Sequence, residues 1–106
     1  MKFQDLLAYQ KSFAIATHIF EITKTFPKEE IYALTDQIRR SSRSVPANIA
    51  EAYQKRIYPK SFQNKLTDAD AENSETQVWL AFAFNVVISA KTAMENFYRK
   101  VKPLEN

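Results

Sequence analysis

The stretch QIRRSSRSVPANIAEAYQKR, residues 37–56, decides the fold. Pro46 stands in its middle. A loop would reset the apolar rhythm at the proline, whereas one helix would carry the rhythm through. Leu34, Ile38, Val45, Ile49 and Ala52/Tyr53 recur at helical spacing on both sides of Pro46, with the small Ser41 and Ser42 filling the gap. The spacing therefore predicts a single helix over about residues 31–56, kinked at Pro46. An interior proline costs about 3 kcal/mol, because it removes a backbone hydrogen bond and crowds the preceding turn. Ser42 lies four residues earlier, at the carbonyl that loses its donor, and nearby serines can help to satisfy it.

Composition points the same way. The chain has 106 residues, the size of one domain, and contains neither glycine nor cysteine. Without glycine there is no phosphate-cradling loop, no dinucleotide-binding loop and no tight primed hairpin turn. Without cysteine neither disulfides nor thiol chemistry can act. No stretch has roughly 18 or more apolar residues free of charge, so no membrane span is expected. The opening MKFQDLLAYQ is interrupted by Asp5 and does not read as a secretory leader, so the expected location is cytoplasmic.

Working outward, a first helix is expected from about Asp5 to Thr25. Leu6, Tyr9, Phe13, Ala16 and Phe20 form one apolar stripe, and Ala8, Ile15, Ile19, Ile22 and Phe26 form a second. Pro27 stops it, because the residue before a proline avoids the helical region. A third helix should start at Lys60 or Ser61 and run to about Phe84 on Phe62, Leu66, Ala69, Asn73, Thr76 and Leu80. Its second half, VWLAFAF, is apolar almost all round. Asn85 is read as a left-handed cap, and Ser89 as the start of a fourth helix carrying Ala93, Met94, Phe97, Val101 and Leu104. A continuous helix through residues 85–89 is the alternative. The expected architecture is an all-α, up-down-up-down four-helix bundle, one domain over residues 1–106. It carries more apolar helix surface than one small bundle can hide, which implies a homo-oligomer.

Charge is unevenly spread. Residues 37–67 carry seven basic side chains against Glu51 alone, a net +6, and residues 68–75 then carry −4. Arg39 and Arg43 lie one turn apart with Arg40 beside them, and Lys55, Arg56 and Lys60 follow. Basic residues spaced along a helix can track nucleic-acid phosphates. They can equally pair with the acidic segment of the third helix, in the same or a neighbouring subunit. Polar residues at or beside apolar beats, namely Gln37, Asn48, Glu51, Asn73, Glu75 and Gln77, form a candidate structural network, since buried polar groups must be hydrogen-bonded.

Little chemistry is available. The single histidine, His18, has Ile15 three residues before it, so the paired Glu-x-x-His ligands of di-metal bundles are missing. One histidine without cysteine makes a poor zinc site. Asp68 and Glu72 share a helix face, but the plainer reading is a solvated or subunit-pairing surface. No enzyme activity, metal or cofactor is expected.

One family pattern is present. Phe26-Pro27, then Glu30, Tyr32, Leu34, Thr35, Gln37, Ile38, Arg39 and Arg40, then Pro46, Asn48, Ile49, Ala50 and Glu51 follow F-P, E-x-Y-x-L-T-x-Q-I-R-R and P-x-N-I-A-E. Glu75-Thr76-Gln77 before an apolar run and Gln10-Lys11 in the first helix add to it. The chain resembles the bacterial four-helix-bundle family of ribosomal RNA intervening-sequence proteins, which are related to accessory proteins of diversity-generating retroelements. The resemblance implies a ring-like homopentamer without enzymatic activity. Among the related accessory proteins, a basic pentamer binds nucleic acid and a reverse transcriptase. Ala52, Ala33 and Asn85-Val86-Val87 stand where the family pattern has glycine. RNA or DNA on the basic surface is one expected partner class; a protein-only accessory or scaffold role is the other.

Overall fold

The computed structural model describes the backbone of residues 1–101, and the side chains of residues 1–85 and of Arg99. Three α-helices are present: α1 over Leu7–Thr23, α2 over Asp36–Gln54 and α3 over Pro59–Val101. No strand occurs among the described residues. A short 3-10 turn, Phe3–Asp5, precedes α1, and Leu6 separates the two with an extended backbone.

The expected helix through Pro46 is there. It is entered through a 3-10 turn at Lys28–Glu30 and a π-helical stretch at Ile31–Thr35, where the Asp36 N–H donates to the Ile31 carbonyl five residues back. α2 then runs unbroken through Pro46. Ser42 does not turn to its own carbonyl; its hydroxyl donates to the carbonyl of Arg39 at 3.2 Å.

α2 is the middle of the fold. α1 packs against it on one side and α3 on another. Its inward face is Ile38, Ser41, Ser42, Val45, Pro46 and Ala52, all buried. From α1 come Ala16 and Ile19, and from α3 come Ala69, Thr76 and Ala83. Most of these residues are small. Small side chains let helix axes approach closely, so the core is thin and rests on contact rather than on bulk. Ile19, expected on a surplus stripe, lies inside this core.

One buried polar pair joins α2 to α3. The hydroxyls of Thr76 and Ser41 lie 2.8 Å apart, with Thr76 donating, and both residues are buried. The Thr76 oxygen is also 2.8 Å from the Glu72 carbonyl, while the Ser41 hydroxyl reaches the Ile38 carbonyl at 3.4 Å. A hydroxyl has one proton to give, so the two side chains satisfy each other only as a pair.

The expected break at residues 85–89 is absent. Asn85 does not cap, Ser89 does not restart a helix, and α3 is one helix of 43 residues. The physical reason is local. A turn back needs a residue that tolerates the left-handed region, and no described residue has positive φ. Val86, Val87 and Ile88 each cost only a fraction of a kcal/mol in a helix, far less than a reversal. The chain thus shows three helices where four were expected. The apolar beat Ala93, Met94, Phe97, Val101 and Leu104 lies outside the described side chains.

The result is a long molecule. Its extents are 73 × 21 × 17 Å with a radius of gyration of 19.2 Å, against about 13 Å for a compact domain of this length. Its accessible surface is 7947 Å², whereas a compact monomer of this mass exposes about 6,100 Å². The surplus is greasy. Phe13, Ile15 and Ile22 on α1, and Val78, Leu80, Phe82 and Phe84 on α3, are all exposed.

The Ser41–Thr76 pair carries a clear test. Thr76→Val leaves Ser41 with one long partner and should cost about 1–3 kcal/mol. Adding Ser41→Ala should return much of that loss, because the second variant removes the stranded group. Chemical denaturation of the two single variants and the double variant measures the coupling.

Candidate nucleic-acid interface

Phe20 of α1 meets the N-terminal half of α2, and the arginines gather around it. The Arg39 guanidinium carbon lies 4.6 Å from the ring centroid and that of Arg43 5.0 Å; the Lys24 ammonium lies at 5.1 Å. An aromatic face is electronegative, so it holds cations without neutralising them. Arg39 is held further. Its Nε donates to Thr23 Oγ1 at 2.7 Å, and Nη2 reaches the Phe20 carbonyl at 3.5 Å. These groups belong to the last turn of α1, where the helix dipole favours a cation.

Arg40 turns the other way, toward α3. Its Nη2 donates to Gln37 Oε1 at 2.9 Å and to Glu75 Oε1 at 3.1 Å. Trp79 Nε1 donates to the same Glu75 oxygen at 3.1 Å. The three arginines, with Phe20, Ser44 and Asp36, line an open concavity of about 660 Å³. Arg43 is exposed and has no carboxylate partner among the described residues.

Lys55, Arg56 and Lys60 form a separate group at the turn from α2 to α3, about 20 Å along α2 from Arg43. All three are exposed. Arg56 lies over the Tyr53 ring at 4.0 Å and donates to the Tyr53 carbonyl at 2.9 Å. The Tyr53 hydroxyl in turn donates to the Met1 carbonyl at 2.6 Å. The six candidate cations therefore divide into two patches at opposite ends of α2.

The expected polar network forms only in part. Gln37 and Glu75 join α2 to α3 through Arg40. Glu51 pairs with Lys65 at 2.9 Å, a second bridge between the same helices. Asn48 bonds within its own helix, its Nδ2 donating to the Ser44 carbonyl at 2.9 Å. Asn73 and Gln77 are exposed. His18 is exposed on α1, and Asp68 is exposed on α3. Glu72 Oε2 is buried with no partner among the described residues. No group of three or more potential metal ligands is clustered among the described residues. No helix among them is long and apolar enough to cross a membrane.

Two features escaped the sequence reading. Phe20 read only as core, and Ser41 only as filler opposite the α3 stripe. The spacing of Arg39 and Arg43 marked a shared face, but nothing in it named the ring or the Thr23 hydroxyl they would meet.

Family membership follows the same helix. A family model described as 23S rRNA-intervening sequence protein matches residues 4–106. The chain belongs to that family. The match spans all three helices and both basic patches. No curated protein and no solved structure matches the chain.

Two outcomes are expected from the ion pairs. Glu75→Gln should cost about 1 kcal/mol, because the Arg40 side chain is exposed and that of Glu75 is only half-buried. It should nevertheless shift the emission of Trp79, the only tryptophan, which loses a charged acceptor; an unchanged spectrum would count against that hydrogen bond. Lys65 has its pKa raised, first by its hydrogen bond to Glu51 and then by the Glu51 charge. A lysine raised in the folded state adds stability that is whole below its unfolded pKa and lost as pH rises through the folded one. The melting-temperature gap between the native chain and Lys65→Met should thus stay level through neutral pH and close in alkali.

Proposed function

We propose that this protein is a non-catalytic homo-oligomer that presents basic surface to RNA. The observation that carries the reading is the state of its cations. Arg43 is held against Phe20 with its charge unneutralised, and Lys55, Arg56 and Lys60 stand exposed at the far end of α2. Phosphate backbones are bound by such groups through release of counterions. A spacing of about 20 Å between patches suits a nucleic-acid backbone better than a small anion. The family's own description, with 23S rRNA in it, favours RNA over DNA as the first ligand to test. The exposed apolar faces of α1 and α3 support assembly of several copies, which would multiply the patches on one particle.

Arg39 and Arg40 are assigned smaller shares. Arg39 is engaged by Thr23 and the end of α1, and Arg40 by Glu75. Their engagement favours a second reading, a protein-only accessory or scaffold module whose arginines hold the fold.

A salt titration of binding to a structured RNA fragment separates the two. The RNA reading expects tight binding at low salt that weakens steeply as salt rises. Arg43→Ala and Arg56→Ala should each weaken binding across unrelated sequences and lower the salt slope by about 0.7–0.9. Absence of binding at low salt, or a flat response, would reject the RNA role in favour of the second reading.

A further inference from the structure

Phe20 and Arg43 line two adjoining hollows. One is the open concavity shared with Arg39 and Arg40. The other is a notch of about 320 Å³ where α1 meets α2 at Pro46, lined by Phe13, Ala16, Thr17, Phe20, Arg43 and Pro46. The notch is apolar except for Thr17 and one guanidinium.

Phe13 supplies its open aromatic face. The residue is 54% exposed, yet its ring is braced. Tyr9, one turn earlier on α1, lies 5.8 Å away between ring centroids, and Phe3 meets Tyr9 edge-on at 5.1 Å. A braced ring needs little further ordering when a planar group settles on it. Ile15, about half a turn round α1 from Phe13, lines an apolar trough between α1 and α3 instead.

Phe20 is already occupied, since Arg39, Arg43 and Lys24 surround its ring. Three cations about one ring repel one another. Of the three, only Lys24 pairs with a carboxylate among the described residues, Glu21 at 3.1 Å. An anion placed there relieves the repulsion. Asp36 also lines the concavity, but it lies seven residues from Arg43, about 10 Å along α2. The seat for an anion is therefore the Arg43 end, where the concavity joins the notch.

We propose that the notch seats the base of an unpaired RNA nucleotide on Phe13, while Arg43 holds a phosphate of the same strand at the edge of the concavity. The proposal rests on the RNA reading above and narrows it to single-stranded segments. Charge selects this occupant over a second copy of the chain, whose own net charge is +3. A nucleic-acid strand carries a planar ring and an anion on one covalent unit, matching the aromatic face and the cation that the two hollows set side by side. In a duplex the faces of each base are covered by its neighbours, so a duplex offers phosphates but no base.

The base is held by its face and not read at its edges. The Thr17 hydroxyl donates to the Phe13 carbonyl at 3.0 Å. Arg43 is thus the one side-chain donor left in the lining. Stacking of this kind accepts any base.

Fluorescence anisotropy with the full chain at low salt tests the seat, using labelled oligouridylate and oligoadenylate of about ten nucleotides and an RNA duplex of equal length. Phe13→Leu keeps apolar bulk at an exposed position and removes the aromatic face. It should weaken both single strands roughly five- to hundredfold, while leaving duplex affinity and the salt slope unchanged. Phe13→Tyr should retain binding, and Arg43→Ala should weaken all three ligands. A uridine strand carrying 5-iodouracil should cross-link to Phe13 of the native chain under near-ultraviolet light, as mapped by mass spectrometry. That cross-link decides the matter even if Phe13→Leu perturbs the fold by circular dichroism. Equal losses on single strand and duplex, no loss on either, or a cross-link elsewhere would overturn the seat and leave the RNA reading standing. A changed sedimentation mass in Phe13→Leu would assign the ring to contact between copies and overturn it as well. Failure of every RNA to bind at low salt would overturn both the seat and the RNA reading.

Discussion

α2 holds the rest of the molecule because its small residues admit a helix on two sides. Ser41, Ser42, Pro46 and Ala52 are buried without filling much volume, and Ile38 supplies the one large side chain that is wholly enclosed among the described residues. With so little bulk, stability depends on closeness and on matched polar atoms. The Ser41–Thr76 pair shows this most plainly: each hydroxyl is buried, and neither is fully served by its own helix. A proline in the middle of such a helix is tolerated because packing from both sides holds the flanking turns, outweighing a local cost of about 3 kcal/mol.

The same closeness organises the charges. α1 ends beside α2, so the Phe20 carbonyl and the Thr23 hydroxyl meet Arg39, and the Phe20 ring faces both Arg39 and Arg43. A ring and a helix end stabilise a guanidinium while leaving it cationic, unlike a carboxylate. Arg40, one residue on, points across the seam and meets Glu75. Two neighbouring arginines thus have different electrostatic fates, although both line the same concavity.

Length is the third consequence. α3 is far longer than α2, and only part of it can be covered by the shorter helix. The exposed Leu80, Phe82 and Phe84 and the empty trough between α1 and α3 are two sides of one imbalance, unsatisfied apolar helix and an unsatisfied apolar groove. Water penalises both at roughly 25 cal/mol per Å² of apolar surface.

Much of this was legible in the residues. The absence of glycine and the unbroken 3.6-residue beat determined an all-helical chain, and the phase across Pro46 determined a single α2, because periodicity is a local property that sequence carries directly. The end of α1 ahead of Pro27 was equally local. The surplus of apolar surface was also plain from the two stripes of α1 and from VWLAFAF. What tertiary structure alone decided were the partners. Periodicity states that Arg39 and Arg43 share a face, not that Phe20 lies beneath them, and it made Ser41 a spacer when it is half of a buried pair. It also left the continuity of α3 open at residues 85–89, where weak local preferences compete and the cost of a turn must be set against packing that a single sequence does not display. Contacts between residues distant along the chain depend on how helices cross, and crossing is settled by the sum of many small packing energies rather than by any one stretch.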